Sequence, residues 1–135
     1  MKKLLCVLVL FSVLLSASTT VDLVRLTLVN KSDMPIAVEL AGIYQETYFY
    51  LDVAQGSRIA PVEREFTIPR DAYTLRLYYL ETYDPVYGFK CSATATSLEI
   101  MSNTRIIFLP CGEQPPNPGE RTLLKFWPFR IKFRY

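Results

Sequence analysis

The chain has 135 residues, 50% hydrophobic and 21% charged, with a formal charge of +2 and no histidine. That length supports one core, not two. The missing histidine excludes Ser-His-Asp and Cys-His catalytic machinery and a Cys/His zinc site, and the near-neutral balance argues against a nucleic-acid partner.

The chain begins with the basic pair Lys2-Lys3. An almost wholly apolar run follows from Leu4 to Leu15, broken by Ser12, and then the small residues Ser16-Ala17-Ser18. This three-part pattern reads as a secretory signal helix over residues 1–18. The apolar run is shorter than the roughly 17–25 residues a spanning helix needs. The mature chain is therefore expected to start at Thr19 and to form one domain over residues 19–135. The expected location is secreted, extracellular or cell-surface, with the periplasm as an option; membrane contact is expected only if residues 1–18 stay attached. Removing them also removes Lys2 and Lys3, which leaves thirteen basic and thirteen acidic residues. It removes Cys6 as well. The remaining pair, Cys91 and Cys111, then reads as a disulfide, as an even count in an exported chain suggests.

Short segments with a period of two follow. Val24, Leu26 and Leu28 alternate with Arg25 and Thr27, and Ile36, Val38 and Leu40 alternate around Glu39. The turn chemistry of Asn30 to Pro35 between them suggests a first hairpin. Asn30-Lys31-Ser32 also fits the N-glycosylation pattern. Thr47–Val53 is an aromatic strand that stops at Ala54-Gln55-Gly56-Ser57. Phe66–Ile68 leads through a Pro69-Arg70-Asp71 turn into Tyr73–Leu80, with Tyr73, Leu75, Leu77 and Tyr79 on one face. Asp84-Pro85 and Gly88 mark a turn before Phe89-Lys90-Cys91. Leu98–Ile100 and Arg105–Leu109 resemble a hairpin around Ser102-Asn103. The proline-rich stretch from Cys111 to Gly119 reads as a rigid loop.

In the last segment Trp127, Phe129, Ile131, Phe133 and Tyr135 alternate with Arg130, Lys132 and Arg134, which gives an apolar row and a basic row. Pro128 suggests an edge strand or a bulge there. The tail from Arg121 onward carries +5 and residues 19–120 carry −5. No 3.6-residue period persists over ten residues of the mature chain. The expected fold is all-β: an antiparallel two-sheet sandwich, immunoglobulin-like or transthyretin-like, with an up-and-down barrel as the alternative.

Several of these motifs occur together: Asn30-Lys31-Ser32 with Pro35-Ile36, then Tyr50-Leu51-x-Val53-Ala54-x-Gly56, then Phe66-Thr67-x-x-Arg70-Asp71-x-Tyr73-Thr74. Ser102-Asn103-Thr104, Pro110-Cys111 and Asn117-Pro118-Gly119-Glu120 extend the set. The chain thereby resembles a group of short exported bacterial β-sandwich proteins of unknown function. The resemblance implies a secreted sandwich with a cysteine pair and carries over no functional residue.

Catalysis is not expected, and neither is any cofactor or metal. Glu39, Glu46, Asp52, Glu63, Glu65 and Glu99 occupy polar alternate positions, as on solvated strand faces, and a catalytic carboxylate pair would need burial and a fixed spacing. Asp71 and Asp84 lie in turns without the spacing of a calcium loop. Two surfaces stand out instead. The terminal strand (Trp127, Phe129, Arg130, Ile131, Lys132, Phe133, Arg134 and Tyr135) suggests homo-assembly, into a surface layer or fibre, or pairing with another surface protein. The tyrosines Tyr44, Tyr48, Tyr50, Tyr78, Tyr83 and Tyr87 suggest an aromatic surface for carbohydrate or another ligand. Of the two, assembly is the leading expectation and ligand binding the alternative.

Overall fold

The computed structural model describes residues 21–112 and the backbone of residues 129–133. The segment 1–18, the loop beyond Gly112, and Trp127, Arg134 and Tyr135 lie outside the described residues. In chain order the strands are β1 (Leu23–Asn30), β2 (Ile36–Gly42), β3 (Tyr48–Val53), β4 (Val62–Pro69), β5 (Asp71–Tyr79), β6 (Tyr83–Asp84), β7 (Gly88–Phe89), β8 (Ser92–Ile100), β9 (Thr104–Phe108) and β10 (Phe129–Phe133). A single turn of 3-10 helix, Leu80–Thr82, precedes β6.

Two four-stranded sheets face each other. The first has the order β10-β9-β1-β4 and the second β3-β2-β5-β8; β6 and β7 form a small separate hairpin. Neighbouring strands are antiparallel except β1 and β9, which run parallel. The inward rows come directly from the sequence alternation. Val24, Leu26 and Leu28 on β1, with Ile106 and Phe108 on β9, meet Ile36, Val38 and Leu40 on β2 and Tyr73, Leu75, Leu77 and Tyr79 on β5. The two core tyrosines satisfy their hydroxyls on main-chain carbonyls, as buried phenols must. Tyr73 Oη donates to the Pro69 carbonyl at 2.6 Å and Tyr79 Oη donates to the Leu109 carbonyl.

Neither expected hairpin forms. β1 pairs with β4 and β9, while β2 pairs with β3 and β5, so the turn at Asn30–Pro35 carries the chain from one sheet to the other. The turn at Ser102-Asn103 does the same between β8 and β9. Alternation reports which side chains are buried, but hairpin and crossover strands bury the same rows. The first crossover is held by Asn30, which is fully buried. Its Nδ2 donates to the Met34 and Ala54 carbonyls at 2.8 and 3.0 Å, and its Oδ1 accepts the Ser32 N–H and hydroxyl. Both amide protons are thus engaged, so the glycosylation pattern there is a turn device in the folded domain.

Cys91 and Cys111 are joined by a disulfide with a Cα–Cα distance of 6.2 Å. It ties the chain just before β8 to the chain just after β9, and so links the two sheets. β10 is the outermost strand of the first sheet and pairs with β9, with Phe129, Ile131 and Phe133 opposite Phe108, Ile106 and Thr104.

Candidate functional site

The outer face of the second sheet is built by the odd-even switch that buries its inner face. On β5, Tyr79 is fully buried and its neighbour Tyr78 faces out. On β3, Phe49 packs against the core beside Tyr73, with ring centroids 6.5 Å apart, and Tyr48 and Tyr50 face out. Tyr48 is 61% exposed and Tyr50 56%. The strand registers set the layout. Tyr50 on β3 lies opposite Glu39 on β2, which lies opposite Arg76 on β5; Tyr48 lies opposite Ala41, and Tyr78 opposite Ala37. On β2, Glu39 therefore sits between the small side chains Ala37 and Ala41, with Tyr50 and Arg76 on either side of it.

Glu39 is the polar centre of this face. Tyr78 Oη donates to Glu39 Oε2 at 3.1 Å, and Arg76 Nη1 lies 4.0 Å from the same oxygen. The Tyr48 and Tyr78 phenols are both held above their usual pKa. Desolvation against the sheet comes first, followed by the hydrogen bond to Glu39 and its charge, which penalise the phenolate. Both rings thus remain neutral hydrogen-bonding phenols across the physiological range.

Beyond Tyr78 the aromatic surface continues. Phe89 stacks obliquely on Tyr78 at 4.9 Å and on Tyr83 at 5.1 Å, which attaches the β6–β7 hairpin to the end of the face. Of the six expected surface tyrosines, the structure thus brings together Tyr48, Tyr50 and Tyr78, with Tyr83 joined through Phe89. Tyr44 and Tyr87 stand apart. Tyr44 is in the β2–β3 loop, pinned by Asp71, whose carboxylate accepts the Tyr44, Gln45 and Ala72 N–H groups. Tyr87 is at the hairpin tip, where Asp84 Oδ1 accepts the Val86 and Tyr87 N–H groups. Those backbone bonds hold the Asp84 carboxyl below its usual pKa. Asp71 thus holds the distant β2–β3 loop and Asp84 its own hairpin turn.

Glu39, Arg76 and Phe89 belong to the face but did not stand out in the sequence. Glu39 and Arg76 are 37 positions apart, and only the β2–β5 register brings them together. A polar residue at an alternate strand position reads as solvated until the opposite strand is known.

The outer face of the first sheet is different in kind. A polar groove of about 390 Å³ lies among Arg25, Thr27, Glu63, Glu65, Asn103 and Arg105. Glu63 and Glu65 both face it, and each is engaged: Arg105 pairs with Glu63, and Arg25 lies 3.7 Å from Glu65. Among the described residues no three Cys, Asp or Glu side chains lie close enough to hold a metal, and no helix is long and apolar enough to cross a membrane. In comparison with known proteins, the chain matches no family model, no curated protein and no solved structure.

Proposed function

We propose that this protein is an exported, non-enzymatic carbohydrate-binding sandwich, and that the outer face of its second sheet is the binding surface. One observation carries the reading: three tyrosines on one sheet face, two of them more than half exposed, surround a carboxylate shared by Tyr78 and Arg76. Tyrosine rings supply flat apolar area for the C–H face of a pyranose, and their hydroxyls together with Glu39 and Arg76 supply donors and acceptors for its hydroxyls. Few rotatable bonds are lost when such rings take up a ligand.

With strands lettered in chain order and the β6–β7 hairpin set aside, the sheets are DAGH and CBEF. The immunoglobulin arrangement is ABED and CFG. The strand orders therefore support the transthyretin-like variant of the expected sandwich. Apart from the β6–β7 hairpin at the end of the second sheet, the outer sheet faces carry no strand among the described residues, which suits surface recognition. The signal pattern of residues 1–18 supports export.

The test is titration of the purified protein against a panel of soluble glycans, alongside Tyr50→Ala. Aromatic anchors at a binding centre typically contribute about 2 kcal/mol or more, so Tyr50→Ala is expected to weaken binding about 30-fold without loss of fold. Arg25→Ala, on the opposite sheet, is expected to leave binding unchanged. Flat titrations across neutral and acidic glycans would refute the reading.

A further inference from the structure

A sheet edge presents unpaired N–H and C=O groups, and proteins protect such edges with charges, prolines or bulges. Two of the edges carry that protection. β4 exposes Glu63, Arg64 and Glu65 in sequence and ends on Pro69. β8 is bulged: its pairing with β5 slips between Tyr73 and Leu75, and Ser97 takes a left-handed φ of 56°. β3 carries such a device only at its far end, where Asp52 meets Arg64; its Tyr48-Phe49-Tyr50 stretch has no charge, proline or bulge. Tyr48–Val53 contains no proline, glycine or lysine and pairs with β2 in unbroken register.

The hydrogen-bond phase of this edge follows from one bond. The Gly42 N–H donates to the Thr47 carbonyl at 2.7 Å, so residues 47, 49, 51 and 53 bond to β2. The main-chain groups of Tyr48, Tyr50 and Asp52 then point outward. Arg64 confirms that direction, because its Nη1 donates to the Asp52 carbonyl at 2.6 Å from outside the sheet. The end of the edge at Asp52 is thereby occupied, while Tyr48 and Tyr50 keep their outward groups among the described residues.

The sequence there is a palindrome, Tyr48-Phe49-Tyr50. An antiparallel copy centred on Phe49 sets Tyr48 opposite Tyr50 of the partner subunit, Phe49 opposite Phe49 of the partner subunit, and Tyr50 opposite Tyr48 of the partner subunit. Every position pairs an aromatic with an aromatic, a favourable cross-strand combination. The outward N–H and C=O groups of Tyr48 and Tyr50 fall in hydrogen-bonded register with those of the copy. The neighbouring register, centred on Tyr50, would require the Asp52 carbonyl that Arg64 holds. We propose that β3 pairs with β3 of a second copy about a two-fold axis at Phe49, joining two four-stranded sheets into one and merging their tyrosine faces. This contact is isologous and closes as a dimer rather than propagating as a fibre. An edge this short buries less than the roughly 1,200 Å² of a stable interface, so the dimer is expected to exchange and to populate only at high concentration.

Cysteine cross-linking of the full chain tests the register. Cα atoms of a hydrogen-bonded antiparallel pair lie about 5.5 Å apart, within disulfide range. A mixture of Tyr48→Cys and Tyr50→Cys proteins should therefore cross-link under mild oxidation several-fold more than either alone. In parallel, sedimentation should show reversible dimer for wild type and monomer for Tyr50→Pro, which removes only an outward N–H from the ladder; circular dichroism checks that this variant folds. Overturning results are equal cross-linking in the mixture and the single variants, dominant self-linking of Tyr50→Cys, or wild type that stays monomeric at every concentration. Capture of an added extended peptide by Tyr50→Cys, with wild type monomeric, would assign the edge to a foreign strand and also overturn the dimer.

Discussion

Gly56 occupies a place where no side chain fits. A Cβ there would lie 2.3 Å from the Asn30 carbonyl and 2.7 Å from the Val62 nitrogen, both main-chain atoms. Its own N–H donates to the Ser32 carbonyl at 2.9 Å, fastening the β3–β4 loop onto the Asn30 crossover. Gly56→Ala must push backbone apart, so it is expected to cost about 2–3 kcal/mol, read as a lower denaturant midpoint with unchanged slope. Its role as a turn residue was legible in the sequence. The close approach was not, because the backbone it meets comes from Asn30 and Val62. The phenols give a second residue-scale prediction. Tyr48 and Tyr78 have folded pKa values above the unfolded one of about 10. Their contribution to stability is therefore complete below pH 10 and is lost as pH rises through the raised folded values. Glu39→Gln removes the carboxylate charge and should bring both phenols to titrate earlier, as followed by near-ultraviolet absorbance.

At the scale of elements, the alternating pattern was readable and the partners were not. β5 shows this most clearly. Its inward row of Tyr73, Leu75, Leu77 and Tyr79 is fully buried, as the period of two requires. Adjacent aromatics divide as the pleat demands, Tyr79 inward and Tyr78 outward. The crossover from β4 to β5 illustrates what was hidden: the Pro69-Arg70-Asp71 turn has the chemistry of a hairpin but changes sheets. The disulfide acts at this scale as well. Cys91–Cys111 closes a 20-residue separation across the two sheets. Loop-closure entropy of that length corresponds to about 3 kcal/mol. Reduction, or a Cys91→Ser/Cys111→Ser variant, is expected to lower stability by about that amount, measured by thermal melts with and without reductant. The outer tyrosine face should survive below the new midpoint, because β3, β2 and β5 are held by their own ladders.

At the scale of the whole molecule, the fold is dominated by distant pairings. β1 lies between β4 and β9, and its parallel partner begins at Thr104, so the centre of the first sheet forms only when remote parts of the chain meet. Closing such loops precedes any gain from the contacts, which slows folding. Refolding of the disulfide-intact protein is expected on a timescale of milliseconds to seconds, measured by stopped-flow tyrosine fluorescence. A microsecond phase that completes folding would contradict this. The sequence by itself determined the all-β class, most of the strands, the cysteine pair and that adjacent tyrosines must face opposite ways, because local alternation and turn chemistry encode burial and direction. It showed only the ends of β4 and β8, since Ser92–Ser97 is all Ser, Ala and Thr and Glu63-Arg64-Glu65 is all charged. Only the tertiary structure decided which turns cross between sheets and that Tyr48, Tyr50 and Tyr78 share one face around Glu39 and Arg76. It also decided that the Tyr48–Tyr50 stretch of β3 lies at a sheet edge. Each of these depends on strand register between segments far apart in sequence, and register is fixed by the packing of both sheets at once.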